Sequence, residues 1–145
     1  MLTYDTAYYT KKIYDSGYLF FTFKTLTDIF EIEKSSTMFK LIYRLVRIGV
    51  LIKLERGKYL LQKAVVHDFT LSNLLYPSSY VSFESALNFY GILSQFPYEI
   101  TSATTNKSLK KDISGKTFTY IHLKKDLFWG YDKKNEFLIA SPEKA

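Results

Sequence analysis

The chain has 145 residues, 47% of them hydrophobic and 18% aromatic, which suits packed domains and excludes a disordered tail. It carries no cysteine, which removes disulfides, thiolate metal sites and cysteine nucleophiles together, and its formal charge of +6 favours anionic partners. No apolar run reaches bilayer length, and the first twenty residues hold Asp5, Asp15 and several tyrosines, unlike a cleavable signal peptide, so a cytoplasmic protein with no membrane partner is expected.

Residues 4–16 favour a helix, with Tyr9 and Ile13 four apart and Gly17 as its stop. Residues 18–21 are short and aromatic and suit one brief strand. Thr22 can cap a second helix running to Phe30, with Leu26, Ile29 and Phe30 on its inner face. Residues 31–34 form the turn that follows.

The third helix spans SSTMFKLIYRLVRIG, residues 35–49. At about 100° per residue, Ser36, Thr37, Lys40, Tyr43, Arg44 and Arg47 gather into one arc of roughly a third of the circumference. Met38, Phe39, Leu41, Ile42, Leu45, Val46 and Ile48 fill the rest, and the polar arc contains no acid. Ser35 or Ser36 is the expected cap and Gly49 the stop. Next, Leu51, Lys53 and Glu55 alternate with Ile52 and Leu54, Arg56-Gly57 supplies a turn, and residues 58–62 return as a second strand.

Two helices followed by a hairpin is the layout of a winged helix-turn-helix, whose recognition helix enters the major groove while the wing touches phosphates or the adjoining minor groove. The charges agree. All three arginines, Arg44, Arg47 and Arg56, fall in this segment while lysine is spread along the whole chain. The guanidinium fork makes two parallel hydrogen bonds to a phosphate or a guanine edge. Residues 1–63 carry eleven Lys/Arg against six Asp/Glu, and the remainder nine against eight. A polyanion partner for the first half, double-stranded DNA, is the expectation. Lys40, Arg44, Arg56 and Lys58 would neutralise phosphates, and Arg47, with Ser36 and Thr37, would reach base edges.

Residues 68–75 read as a helix closed by Tyr76-Pro77, and residues 82–90 as another, capped by Ser79 or Ser82 and stopped by Gly91. Residues 99–105, 116–123 and 136–140 read as strands. No Gly/Ser/Pro-rich spacer intervenes, so two directly joined domains are expected, 1–63 and 64–145. The fold class is α+β: an N-terminal winged helix-turn-helix, then a small mixed α/β domain with an antiparallel sheet.

Nothing in the sequence supports an enzyme, a cofactor or a metal site. There is no glycine-rich phosphate loop, no nucleophile elbow and no ligand cluster. His67 and His122 lie in different elements and read as structural histidines. Asp68, Glu84, Glu99 and Asp126 are scattered without a spacing that suits acid/base work. Trp129 sits in the aromatic run FWGY and reads as core or interface.

Five phrases in the second half occur in order: YVSFESALNFYG at 80–91, ITSATT at 100–105, FTYIH at 118–122, LFWGY at 127–131 and IASPEKA at 139–145. Behind a winged helix they resemble the AbiEi family of bacterial antitoxins, encoded beside a nucleotidyltransferase-like toxin. The resemblance implies a cytoplasmic dual role: autorepression at an operator through the first domain, and antitoxin action of type IV through the second, in which a stable complex with the toxin is not required. The DNA-facing positions it implies are Ser36, Thr37, Lys40, Tyr43, Arg44 and Arg47, with Arg56 and Lys58 on the wing. Thr104, Thr105, Lys107, Lys110 and Lys111 are candidates for an antitoxin surface because they share one strand-to-loop segment. In the family the SPEKA phrase opens a helix and more chain follows, so either a truncated or proteolysed chain or an unusually short member is expected here. The alternative is a winged-helix regulator whose second domain senses a ligand or binds protein.

Overall fold

The computed structural model describes residues 6–92, 99–134 and 137–144, and the chain divides into two compact units, Met1–Val65 and Val66–Ala145. Tyr4 and Asp5, where the first helix was expected to begin, and Glu136, where the last strand was, lie outside the described residues. The class is α+β, with helices and sheets in both units.

In the first unit, α1 (Thr6–Ser16), α2 (Phe23–Phe30) and α3 (Ser35–Arg47) pack with β1 (Phe20–Thr22), β2 (Leu51–Glu55) and β3 (Lys58–Leu61). Thr22 caps α2 as its side chain accepts the Thr25 amide at 3.1 Å, and Glu31 closes it in the left-handed conformation. The three strands form an antiparallel sheet in the order β1-β3-β2, with Phe21 opposite Tyr59 and Ile52 opposite Leu60. Pairing of β1 with β3 was not anticipated. It turns the hairpin into a sheet tied to the segment before α2. The core is Ile13, Phe21, Leu26, Phe30, Met38, Leu41, Ile42, Leu45, Leu51, Tyr59 and Leu61, so every element contributes at least one buried side chain.

In the second unit, α4 (Asp68–Leu75) packs on the sheet across β4 (Ser79–Val81), and α5 (Phe83–Phe89) packs against β5 (Glu99–Thr104). The chain continues through β6 (Leu109–Ile113), β7 (Lys116–His122), β8 (Tyr131–Lys134) and β9 (Phe137–Ala140). All six strands make one sheet in the order β6-β7-β5-β4-β9-β8. The sheet is mixed, which corrects the expected antiparallel one: β5 runs parallel to β7 and β4 parallel to β9. The cause is β6. It reverses the chain before β7, so β7 returns in the direction of β5. Neither β6 (LKKDI) nor β8 (YDKK) shows apolar alternation, because each is an edge strand whose charged residues keep other strands from adding on.

Candidate nucleic-acid interface

α3 is held in place by the burial of Met38, Leu41, Ile42 and Leu45. The expected serine cap is corrected: Lys34 is the capping residue, without a side-chain bond, and its carbonyl accepts the amides of Thr37 and Met38. Ser35 and Ser36 already lie inside the first turn. Gly49 ends the helix as expected. Its φ of 89° lets the Val50 amide reach the Leu45 carbonyl at 2.9 Å while its own amide reaches Val46, the paired bonds of a Schellman closure. That closure aims the chain directly into β2.

The opposite side of α3 presents Ser36, Lys40, Tyr43, Arg44 and Arg47 as exposed residues, with Thr37 half-buried. The helix carries no acid along its length. Among the described residues, Lys40, Arg44 and Arg47 form no ion pair and no side-chain hydrogen bond. Among the described residues, no carboxylate therefore pairs with these three cations. An open hollow of about 560 Å³ is lined by Phe39, Lys40, Tyr43, Arg44 and Arg47. A second, of about 220 Å³, lies between α3 and the sheet, bounded by Phe39, Ile42, Tyr43, Val46, Lys53 and Tyr59.

Two of the apolar residues outside the polar arc are nevertheless exposed, Phe39 at 58% and Ile48 at 54%. Each lies at a border of the polar arc, where a helical wheel does not decide between core and solvent. Phe39 rests on Phe23, with ring centroids 4.8 Å apart and a tilt of 33°. The Phe23 amide in turn donates to the Gly57 carbonyl at 3.0 Å. The tip of the hairpin and the outer face of α3 are thus linked through a single residue.

At that tip, Gly57 takes φ 78° and the register slips by one residue between Lys53 and Glu55. Arg56 is exposed and, among the described residues, carries no ion pair. Lys58 differs. Its Nζ lies 2.9 Å from Glu55 Oε2, and both side chains are largely covered. The expected pair of wing cations therefore consists of one unpaired arginine and one lysine already engaged. Glu55 is the functional neighbour that strand alternation missed, because the register slip brings it beside Lys58.

The proposed set in the second unit is only partly brought to the surface. Thr104 is fully buried, donates to the Ser78 carbonyl at 3.0 Å and accepts the Asn106 amide, which removes it from any surface role. Lys111 Nζ donates to the Leu75 carbonyl at 2.8 Å, at the end of α4, and lies over the Tyr76 ring. Lys107 and Lys110 are exposed and Thr105 is half-buried. His67 accepts the Phe69 amide through Nδ1 and stacks on Phe137, and His122 Nδ1 lies 2.9 Å from the Asn106 carbonyl. Trp129 is 59% exposed beneath Lys144, so it is not a core residue. Among the described residues, no group of three or more acidic or histidine side chains could hold a metal ion, and no helix is long and apolar enough to cross a membrane.

No protein-family model matches this chain, and no curated protein matches it.

Proposed function

We propose that the chain is a DNA-binding transcriptional regulator whose first unit is a winged helix-turn-helix. In this reading α3 enters the major groove of operator DNA and the β2–β3 hairpin lies along the backbone beside it. The observation that carries it is the acid-free outer face of α3, where Lys40, Arg44 and Arg47 stand exposed and, among the described residues, without an ion pair, with Arg56 on the hairpin tip. Like charges gathered on one face repel one another, and they bind a polyanion by displacing the counterions condensed on its phosphates. Lys40, Arg44 and Arg56 would bind backbone, and Arg47 would read base edges.

The resemblance to the AbiEi family extends this reading to an autorepressor that also acts as the type IV antitoxin of a nucleotidyltransferase-like toxin. That second role belongs to the second unit, where Lys107 and Lys110 are the exposed members of the candidate set.

The test is a binding titration on the duplex upstream of the protein's own gene, at two salt concentrations and beside a scrambled duplex. Selective, salt-sensitive binding that is lost in Arg44→Ala/Arg47→Ala supports the reading. A folded sample that binds neither duplex overturns it.

A further inference from the structure

We propose that Phe39, with Tyr43 beside it, is an apolar base-reading element that packs against the 5-methyl groups of thymine on the floor of the major groove. This inference rests on the DNA-binding reading of α3 and adds a second mode of base recognition to the arginine hydrogen bonds.

Phe39 and Tyr43 are 58% and 67% exposed, on a helix that buries Met38, Leu41, Ile42 and Leu45. They are four residues apart and therefore neighbours on one strip of the helix surface. Both line the hollow that holds Lys40, Arg44 and Arg47, and both border the hollow toward the sheet. They form a ridge between a cationic face and an apolar one. An exposed aromatic pair is a standing cost in water, since its apolar area remains unburied. The ridge is also backed. The Phe23 ring supports Phe39 from behind, and Phe23 is itself tied to Gly57, so Phe39 has less freedom to lose on docking than an unsupported surface ring.

The charges around the ridge choose the occupant. A protein partner would need a matching acidic surface for the exposed cations of α3, whereas DNA supplies regularly spaced phosphates on either side of the groove. Within the major groove the thymine methyl is the apolar feature of the base edges, and apolar side chains including phenylalanine contact it.

The experiment uses the whole chain and a duplex library containing a random tract, enriched by repeated binding to the purified protein. Each thymidine of the best-bound duplex is then replaced singly by deoxyuridine, which deletes the methyl and leaves every hydrogen-bonding edge intact. At one or more positions the change should weaken wild-type binding about fourfold, the value of one methyl-sized apolar contact. Phe39→Ala should bind the thymidine and deoxyuridine duplexes alike, while Lys40→Ala should weaken both and preserve their ratio. Phe39→Leu, which keeps an apolar side chain, should retain part of the discrimination and provides the comparison if the alanine variant does not fold. Indifference of the wild type to every replacement overturns the proposal and leaves DNA binding intact. So does a Phe39→Ala variant that is weaker on both duplexes with an unchanged ratio, because that is a sugar contact or a structural effect. Failure of a folded chain to enrich any duplex overturns the DNA-binding reading together with the proposal.

Discussion

Ser85 and Thr101 hold each other by reciprocal bonds: the Ser85 amide donates to Thr101 Oγ1 at 3.1 Å, and the Thr101 amide donates to Ser85 Oγ at 2.9 Å. Thr101 Oγ1 also donates to the Ser82 carbonyl at 2.7 Å. Both side chains are buried, so the pair fastens the start of α5 to the middle of β5 where water cannot replace a lost partner. Thr101→Val keeps the shape of the side chain and deletes its oxygen. A loss of about 1–3 kcal/mol is expected, the cost of leaving buried polar groups unpaired. Urea unfolding should show a lower midpoint with an unchanged slope; an unchanged midpoint would show that the clip contributes nothing.

The two classes of cation on α3 separate by the kind of affinity they supply. Arg47→Ala should cost about 1–3 kcal/mol on the preferred duplex and relax preference at one position. Lys40→Ala should weaken all duplexes alike and lower the salt slope by about one. Titration of both variants on preferred and scrambled duplexes across a salt series distinguishes these outcomes, and equal behaviour of the two variants would refute the division of roles.

The Glu55–Lys58 pair sets a directional expectation at the hairpin. Glu55→Gln releases the Lys58 ammonium from its partner at 2.9 Å and deletes a negative charge next to the proposed phosphate path. Affinity for any duplex should rise, with a salt slope steeper by about one. Arg56→Gln should lower affinity more than Lys58→Gln, because Arg56 has, among the described residues, no ion pair to give up. A Glu55→Gln variant that binds more weakly would place the hairpin away from the duplex.

Alkaline pH should destabilise the second unit. Burial pushes the phenols of Tyr80 and Tyr90 above their ordinary value of 10.0, and Tyr131 beside Tyr80 adds to its shift. The neutral phenol is thus favoured in the folded chain. Below pH 10 both states keep the proton and stability is unaffected; above it the unfolded chain loses the proton first, so stability falls as pH rises through the folded values. Denaturant midpoints at pH 8, 10 and 11 should stay level over the first step and drop over the second. Tyr80→Phe should flatten the drop, and an identical alkaline limb in wild type and variant would refute the assignment.

The elements with strong local signals were legible from the chain alone. Residues 68–75 coincide with α4, and Thr22, Gly49 and Gly57 punctuate the chain as their chemistry requires. Periodicity places Met38, Leu41, Ile42 and Leu45 inward because four apolar residues on one stripe outweigh any single neighbour. Border positions are different. Phe39 lies next to the edge of the polar arc, where periodicity does not choose between core and solvent, and it rests on the ring of Phe23, a residue sixteen positions earlier in the chain.

By itself the sequence determined the α+β class, the helices of the first unit, the turn at Arg56-Gly57 and the concentration of cations on one acid-free helix face. Those follow from local propensity, periodicity and charge, which act over a few residues. Tertiary structure alone decided the strand order of the second unit, its parallel pairs, the burial of Thr104, the engagement of Lys111, and the exposure of Phe39. Each depends on which distant backbone lies alongside. Thr104, for example, is buried because β5 pairs on both edges, with β4 and with β7, and no pattern within its own segment carries that information.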